Sequence, residues 1–269
     1  MRVALLALAL ATASPVHAQA GDDEAAALRA AVERGRLLYA YDQAAWHGTD
    51  DMLAKIRNPG ERLGGWIVDG PPESAQLIFY DRNAADPRAV YVARFNGSKL
   101  VSSRVLGPGE DRSLTPQRKR MIAAVRTASA ALEASQVQRC AAKPFNTVVL
   151  PPASANDPVS VYYLTPQTDT KIIPFGGHYR VDVSADGTAG PVRAFTRSCI
   201  QLPIDPPAES KEAKSALLTI SHLLDPTPTE IHVFSSLVAG RRVMVITAAK
   251  RIWSVDGDGS IRPFDLGAR

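Results

Sequence analysis

The chain has 269 residues, is 45% hydrophobic and 22% charged, and carries a formal net charge of +4. That balance belongs to a globular protein long enough to bury a real core. No stretch after residue 20 has the length and apolarity of a membrane span. The one dense basic cluster, Arg118-Lys119-Arg120, would spread around a helix, so no nucleic-acid partner is expected.

The first eighteen residues read as a cleavable signal peptide. Arg2 is followed by the uncharged run Val3 to Ala13, and Val16-His17-Ala18 is a small-residue cleavage pattern. A second cut is open after Ala20. The run is about half of a bilayer span, so no membrane segment is expected after cleavage. The loss of Arg2 takes the charge from +4 to +3. The Ala-, Arg- and Pro-rich composition fits a GC-rich bacterial genome and therefore a periplasmic or secreted address. In such an oxidising compartment the only two cysteines, Cys140 and Cys199, are expected to form a disulfide.

Residues 22–47 predict a helix. Asp22, Asp23 and Glu24 suit its start, Leu28, Val32, Tyr39 and Trp46 form an apolar stripe, and Gly48 is a stop. Thr49-Asp50 would then cap a short turn through Met52, Leu53 and Ile56. Strands follow at 66–68, 77–80, 90–95 and 99–106, and Asn96-Gly97 predicts a type I′ hairpin. Thr115 and Pro116 open a second helix, whose buried stripe is Met121, Ile122, Val125, Ala128 and Leu132.

Beyond it, strands are expected at 147–150, 159–164, 179–183 and 192–196, with a proline-rich break at 203–207. The segment 216–224 is read narrowly as a strand; 231–238, 242–247 and 252–255 are read as strands too. The fold class is therefore α+β, an antiparallel meander sheet or sheets with two main helices packed on one face. The organisation is a signal peptide (1–18), a helix plus meander (19–110) and a helix plus longer meander (111–269), with the last two open to being one continuous domain.

The motifs for a serine nucleophile elbow, a zinc helix, a phosphate loop and a dinucleotide fold are missing from the sequence, which leans against catalysis. Four histidines survive cleavage. If 216–224 and 231–238 paired as a hairpin, one register would set His222 opposite His232, with Glu230 on the same face as His232. His178, sharing a strand face with Arg180 and Asp182, would be a third metal ligand or part of a ligand-binding site. Half-exposed histidines bonded to neighbours are the competing reading, and neither metal nor cofactor is expected.

Asp42, within the apolar stripe of the first helix, is a candidate raised-pKa acid beside His47; the alternative is a carboxylate held by a structural donor. Gly176-Gly177 reads as a bend, and Asp256-Gly257-Asp258-Gly259 as a hairpin turn rather than a calcium loop. Taken together, the sequence favours a non-catalytic envelope protein that binds a protein, a peptide or a cell-envelope component through a sheet edge or loops. The rival is a metal-dependent hydrolase using strand histidines. A third reading is a periplasmic inhibitor or chaperone of another secreted protein.

Overall fold

A computed structural model describes residues 15–204 and 218–265, with side chains described from residue 21. Residues 1–14 of the leader, the end of the proline-rich break and the start of the 216–224 segment lie outside the described residues. The first helix, α1, runs from Pro15 to Lys55 without interruption. At 1.5 Å per residue it is about 60 Å long, so it serves more than one core. Its first half packs Leu28 and Val32 onto a C-terminal core, and its second half buries Leu38, Tyr41, Ala44, Ala45 and Met52 against the meander.

Two expectations for α1 are corrected. Gly48 does not stop the helix. It is there because a Cβ at that position would lie 2.1 Å from a methyl group of Leu77. Trp46 does not join the buried stripe; it is 59% exposed, and small alanines fill the face instead. A short turn, α2 (Pro59–Arg62), leads into the first strand.

The meander is a four-stranded antiparallel sheet: β1 (Leu63–Asp69), β2 (Gln76–Asp81), β3 (Ala89–Asn96) and β4 (Lys99–Val105). The β3–β4 turn sits one residue later than expected. Asn96 pairs with Lys99, and only Gly97 of the two loop residues has positive φ (58°), the pattern of a type II′ turn. Helix α3 (Pro116–Ala134) starts as expected, with the Thr115 hydroxyl accepting from the Arg118 amide.

A second four-stranded sheet follows: β5 (Asn146–Leu150), β6 (Val159–Leu164), β8 (Tyr179–Val183) and β9 (Arg193–Ala194) in spatial order. The antiparallel α+β class is as expected, but the two helices do not share a face. Alternation along the strands separates them. Val68, Leu77, Phe79, Val148 and Tyr162 pack with α1, whereas Ile67, Ile78, Val149, Val161 and Val181 pack with α3. Strands with both faces buried carry an apolar residue at nearly every position, so alternation could not assign a face to either helix.

The C-terminal part departs furthest from expectation. Residues 231–238 are not a strand; they lie in helix α4 (Glu230–Ala239). A continuous apolar run reads equally as buried helix or buried strand, and Ile231 and Val233 bias the reading to strand. The deciding signals are Thr229 at the N-cap and Gly240, left-handed at φ 60°, at the C-terminus. Strand β11 (Leu218–His222) therefore pairs parallel with β12 (Val243–Thr247), and α4 is the crossover.

Two further strands, β13 (Ile252–Val255) and β14 (Ile261–Pro263), complete this sheet antiparallel. Asp256–Gly259 is the hairpin turn between them, with the Gly259 amide donating to the Asp256 carbonyl at 2.8 Å. Short strands β7 (Ile172–Pro174) and β10 (Gln201–Pro203) form a separate ribbon. Cys140 and Cys199 are joined in a disulfide across 59 residues. Gly177 lies beneath it at φ 75°, where a Cβ would come within 2.3 Å of Cys140 Sγ. Among the described residues no helix is long and apolar enough to cross a membrane.

The crossing of α1 over α4 yields a test. A Cβ on Gly35 would stand 2.4 Å from Val233 Cβ and 2.7 Å from the Glu230 carbonyl oxygen. Helix propensity alone makes Gly35→Ala stabilising by about 1 kcal/mol. Steric exclusion makes it destabilising by roughly 2–3 kcal/mol, and urea denaturation of the variant reads the sign.

Candidate functional site

The polar groups of the interior gather where β6 and β8 meet α1 and α4. All six residues of β6 are buried. Its Ser160 and Tyr162 point away from α3, and register sets Ser160 opposite Asp182 and Tyr162 opposite Arg180. On the next strand Arg193 lies opposite Arg180. Glu230 enters from the first turn of α4. Its Oε1 accepts from the Tyr162 hydroxyl at 2.9 Å and pairs with Arg180 at 2.8 Å. Arg180 also pairs with Asp182 at 3.1 Å. Asp182 accepts from the Ser160 hydroxyl at 2.6 Å, and that oxygen accepts from Arg34 of α1 at 3.0 Å. One atom of this network, Arg180 Nε, is buried without a hydrogen bond.

The histidines form an adjoining group. The expected hairpin between 216–224 and 231–238 does not exist, because the second segment is helical. The βα connection nevertheless brings the His222 and His232 rings edge to face, with centroids 4.5 Å apart. His222 Nε2 bonds Asp225 Oδ2 at 2.8 Å, and Asp225 Oδ1 accepts from Arg193 at 2.9 Å. Burial opposes ionisation of Asp225, yet the His222 ring and the Arg193 guanidinium hold its carboxyl below the ordinary range.

His232, at the third position of α4, accepts the Thr229 backbone N–H on Nδ1 at 3.0 Å. It takes the place that Glu or Gln holds in a capping box. Burial pushes its imidazole down to about 3, with His222 adding to the effect. His178 accepts from the Thr165 backbone on Nδ1 and donates from Nε2 to the Pro174 carbonyl, each at 3.1 Å. Burial pushes it down to about 4. Its ring meets Phe234 edge to face at 6.4 Å, apart from Arg180 and Asp182.

Asp42 and His47 are not brought together. Five residues apart on a helix, they point about 140° from each other. Asp42 is half-buried, receives a long bond from Asn146 Nδ2 at 3.4 Å, and is pushed up to about 6 by burial. His47 stacks on the exposed Trp46, centroids 4.9 Å apart.

The interior arrangement fastens α4 to the second sheet. Ring nitrogens of His178, His222 and His232 are engaged by protein, and the three side chains are at most 3% exposed. Among the described residues no three His, Cys, Asp or Glu side chains are grouped as a metal ion requires. Sequence reasoning missed Arg34, Ser160, Tyr162, Arg193 and Asp225. For Ser160 and Tyr162 a signal existed, since they alternate within an otherwise apolar strand; Asp225 and Arg193 carry none.

The fold and this cluster define an α+β protein with antiparallel sheets and a polar network at its helix–sheet junction. No protein-family model matches the chain, and comparison with curated proteins and solved structures finds no match.

The neutral histidines set a pH dependence. Unfolded histidine titrates near 6.5, whereas His178 and His232 titrate near 4 and 3 when folded. The unfolded chain therefore takes up protons first as pH falls. Stability is full above about pH 7 and is lost as pH falls from about 6.5 toward 4. From pH 7 to 5 the two histidines together remove roughly 3–4 kcal/mol, and Asp42, shifted in the opposite sense, returns roughly 1. Urea unfolding at the two pH values checks this. His178→Gln should remove about half of the histidine effect, and an unchanged pH slope in that variant would contradict the assignment.

Proposed function

We propose that the chain is an exported, disulfide-stapled α+β protein of the cell envelope that works by binding rather than by catalysis. The observation that carries this reading is that the residues able to do chemistry are spent on one another. Tyr162, Arg180, Asp182 and Glu230 form one closed network, and His222 and Asp225 are bonded to each other beside it. A general base must reach the proton it removes, and these groups already hold protein partners.

Binding has surfaces available to it. Among the described residues strand β4 pairs only with β3 and leaves a seven-residue edge, where Lys99 and Arg104 discourage self-pairing. Export is supported by the leader pattern together with the joined Cys140 and Cys199. In the full chain both cleavage points fall within the first turns of α1. The partner on this reading is a protein, a peptide or a cell-envelope component.

The metal-hydrolase reading retains the contact of His222 with His232. Against it, Asp225 and Thr229 already occupy a nitrogen of each ring.

Fractionation of cells expressing the full chain, followed by intact-mass measurement, tests export. The expected product is extracytoplasmic, begins after Ala18 or Ala20, and has no alkylatable thiol. Reducing the bridge should cost about 4 kcal/mol by chain entropy for a loop of this size. Protein purified without chelator should hold less than about one tenth of an equivalent of Zn, Mn or Fe. A hydrolytic activity lost in His222→Ala would overturn the non-catalytic reading.

A further inference from the structure

Away from the buried network, one surface cleft combines positive charge with unspent donors. It lies at the end of the first sheet where α2, β1 and β2 meet α3, and encloses about 390 Å³. Arg82 and Arg126 line it, with Tyr80, Asp81, Gly60 and Gly64. Each arginine uses its guanidinium once, on a backbone carbonyl: Arg82 on Gly60 at 2.6 Å and Arg126 on Ala84 at 2.7 Å. Neither makes an ion pair among the described residues. A guanidinium has five N–H donors in a planar fork, so most of those in the cleft are unspent.

The remaining lining agrees. The Tyr80 hydroxyl makes no hydrogen bond among the described residues and faces Gly65, where any Cβ would stand 2.6 Å from it. Burial raises the Tyr80 pKa, while the charge of Arg126 works the other way, which places that guanidinium within electrostatic reach of the hydroxyl.

The carboxylate on the lining, Asp81, is already committed. Its Oδ2 pairs with Arg112 at 3.2 Å, and its Oδ1 accepts the amides of Asn83 and Arg88 at 3.2 and 3.1 Å. Nearby Asp86 is taken by Arg88 and Lys119. Glu61, on α2, is exposed and is not part of the lining.

We propose that this cleft binds a small oxyanion, a carboxylate or phosphate group gripped between Arg82 and Arg126 and accepting from the Tyr80 hydroxyl. The two guanidinium forks match the paired oxygens of either group. Gly65 leaves the hydroxyl room at the cleft wall, since a Cβ there would stand 2.6 Å from it. The site goes beyond the binding role proposed above and stands whether or not the chain is exported.

The test is calorimetric titration of the full chain with inorganic phosphate and, separately, with acetate, with ionic strength held constant by an inert salt. Saturable one-to-one binding of either probe is expected, and the tighter probe identifies the headgroup. Arg82→Gln and Arg126→Gln, both at exposed positions, should weaken it at least about 10-fold, consistent with loss of a charge-assisted hydrogen bond. Tyr80→Phe should weaken it several-fold. Arg94→Gln, an exposed arginine of β3 outside the cleft, should bind like the parent. The site is refuted by absence of saturable binding of both probes up to about 50 mM, a range beyond the weakest specific affinities. It is equally refuted by a loss in Arg94→Gln matching that in Arg82→Gln, the signature of diffuse surface charge.

Discussion

Removing the Arg180 and Glu230 charges from water is the constraint that organises this molecule. Each ion loses several kcal/mol of hydration on burial, and only close pairing with further hydrogen bonds returns it. The required partners come from four elements: Arg34 from α1, Ser160 and Tyr162 from β6, Asp182 from β8, and Glu230 from α4. A shift of α4 by one turn, about 5.4 Å, would strip Glu230 of both Arg180 and Tyr162, a penalty of roughly 3–5 kcal/mol, and leave Arg180 with Asp182 alone. Apolar packing alone would resist such a slip weakly, since Ile231, Val233 and Phe234 offer similar surfaces at neighbouring positions.

The same residue meets the long helix through its backbone. Gly35 of α1 sits against Val233 and the carbonyl of Glu230 itself, so the backbone closeness of the two helices and the ion pair share one residue. Fixing α4 also fixes β11 beside β12, because a parallel pair needs a crossover and α4 is that crossover. His232 then completes the cap of α4 and contacts His222 at the end of β11. Helix start, crossover and buried histidines are thus consequences of one docking event.

The sequence made local structure legible wherever chemistry is local. The Thr115-Pro116 start of α3, the meander strands and the disulfide pairing follow from cap geometry, apolar runs bounded by turn residues and cysteine count. It failed where one residue type serves two physical ends. Gly48 reads as a stop because glycine often ends helices, yet here it admits Leu77. Residues 231–238 read as a strand because a short, wholly buried run has no periodicity to reveal, and β-branched residues tip the balance. One register of a hairpin would set His222 opposite His232; the two rings instead meet across the connection from β11 into a helix.

Chemistry and accessibility separate in this fold, and the separation explains why residue type alone was a poor guide to a site. His178 and His232 lie inside, where a low dielectric strengthens each bond but also keeps imidazole neutral. In the cleft beside Tyr80 the groups are ordinary arginines with no motif around them, and what distinguishes them is the commitment of the neighbouring carboxylates to other cations. A local sequence window does not record which acids are already taken, since Arg112 reaches Asp81 across 31 positions and Lys119 reaches Asp86 across 33. Unspent charge is therefore a property of the folded network and not of any local window of sequence.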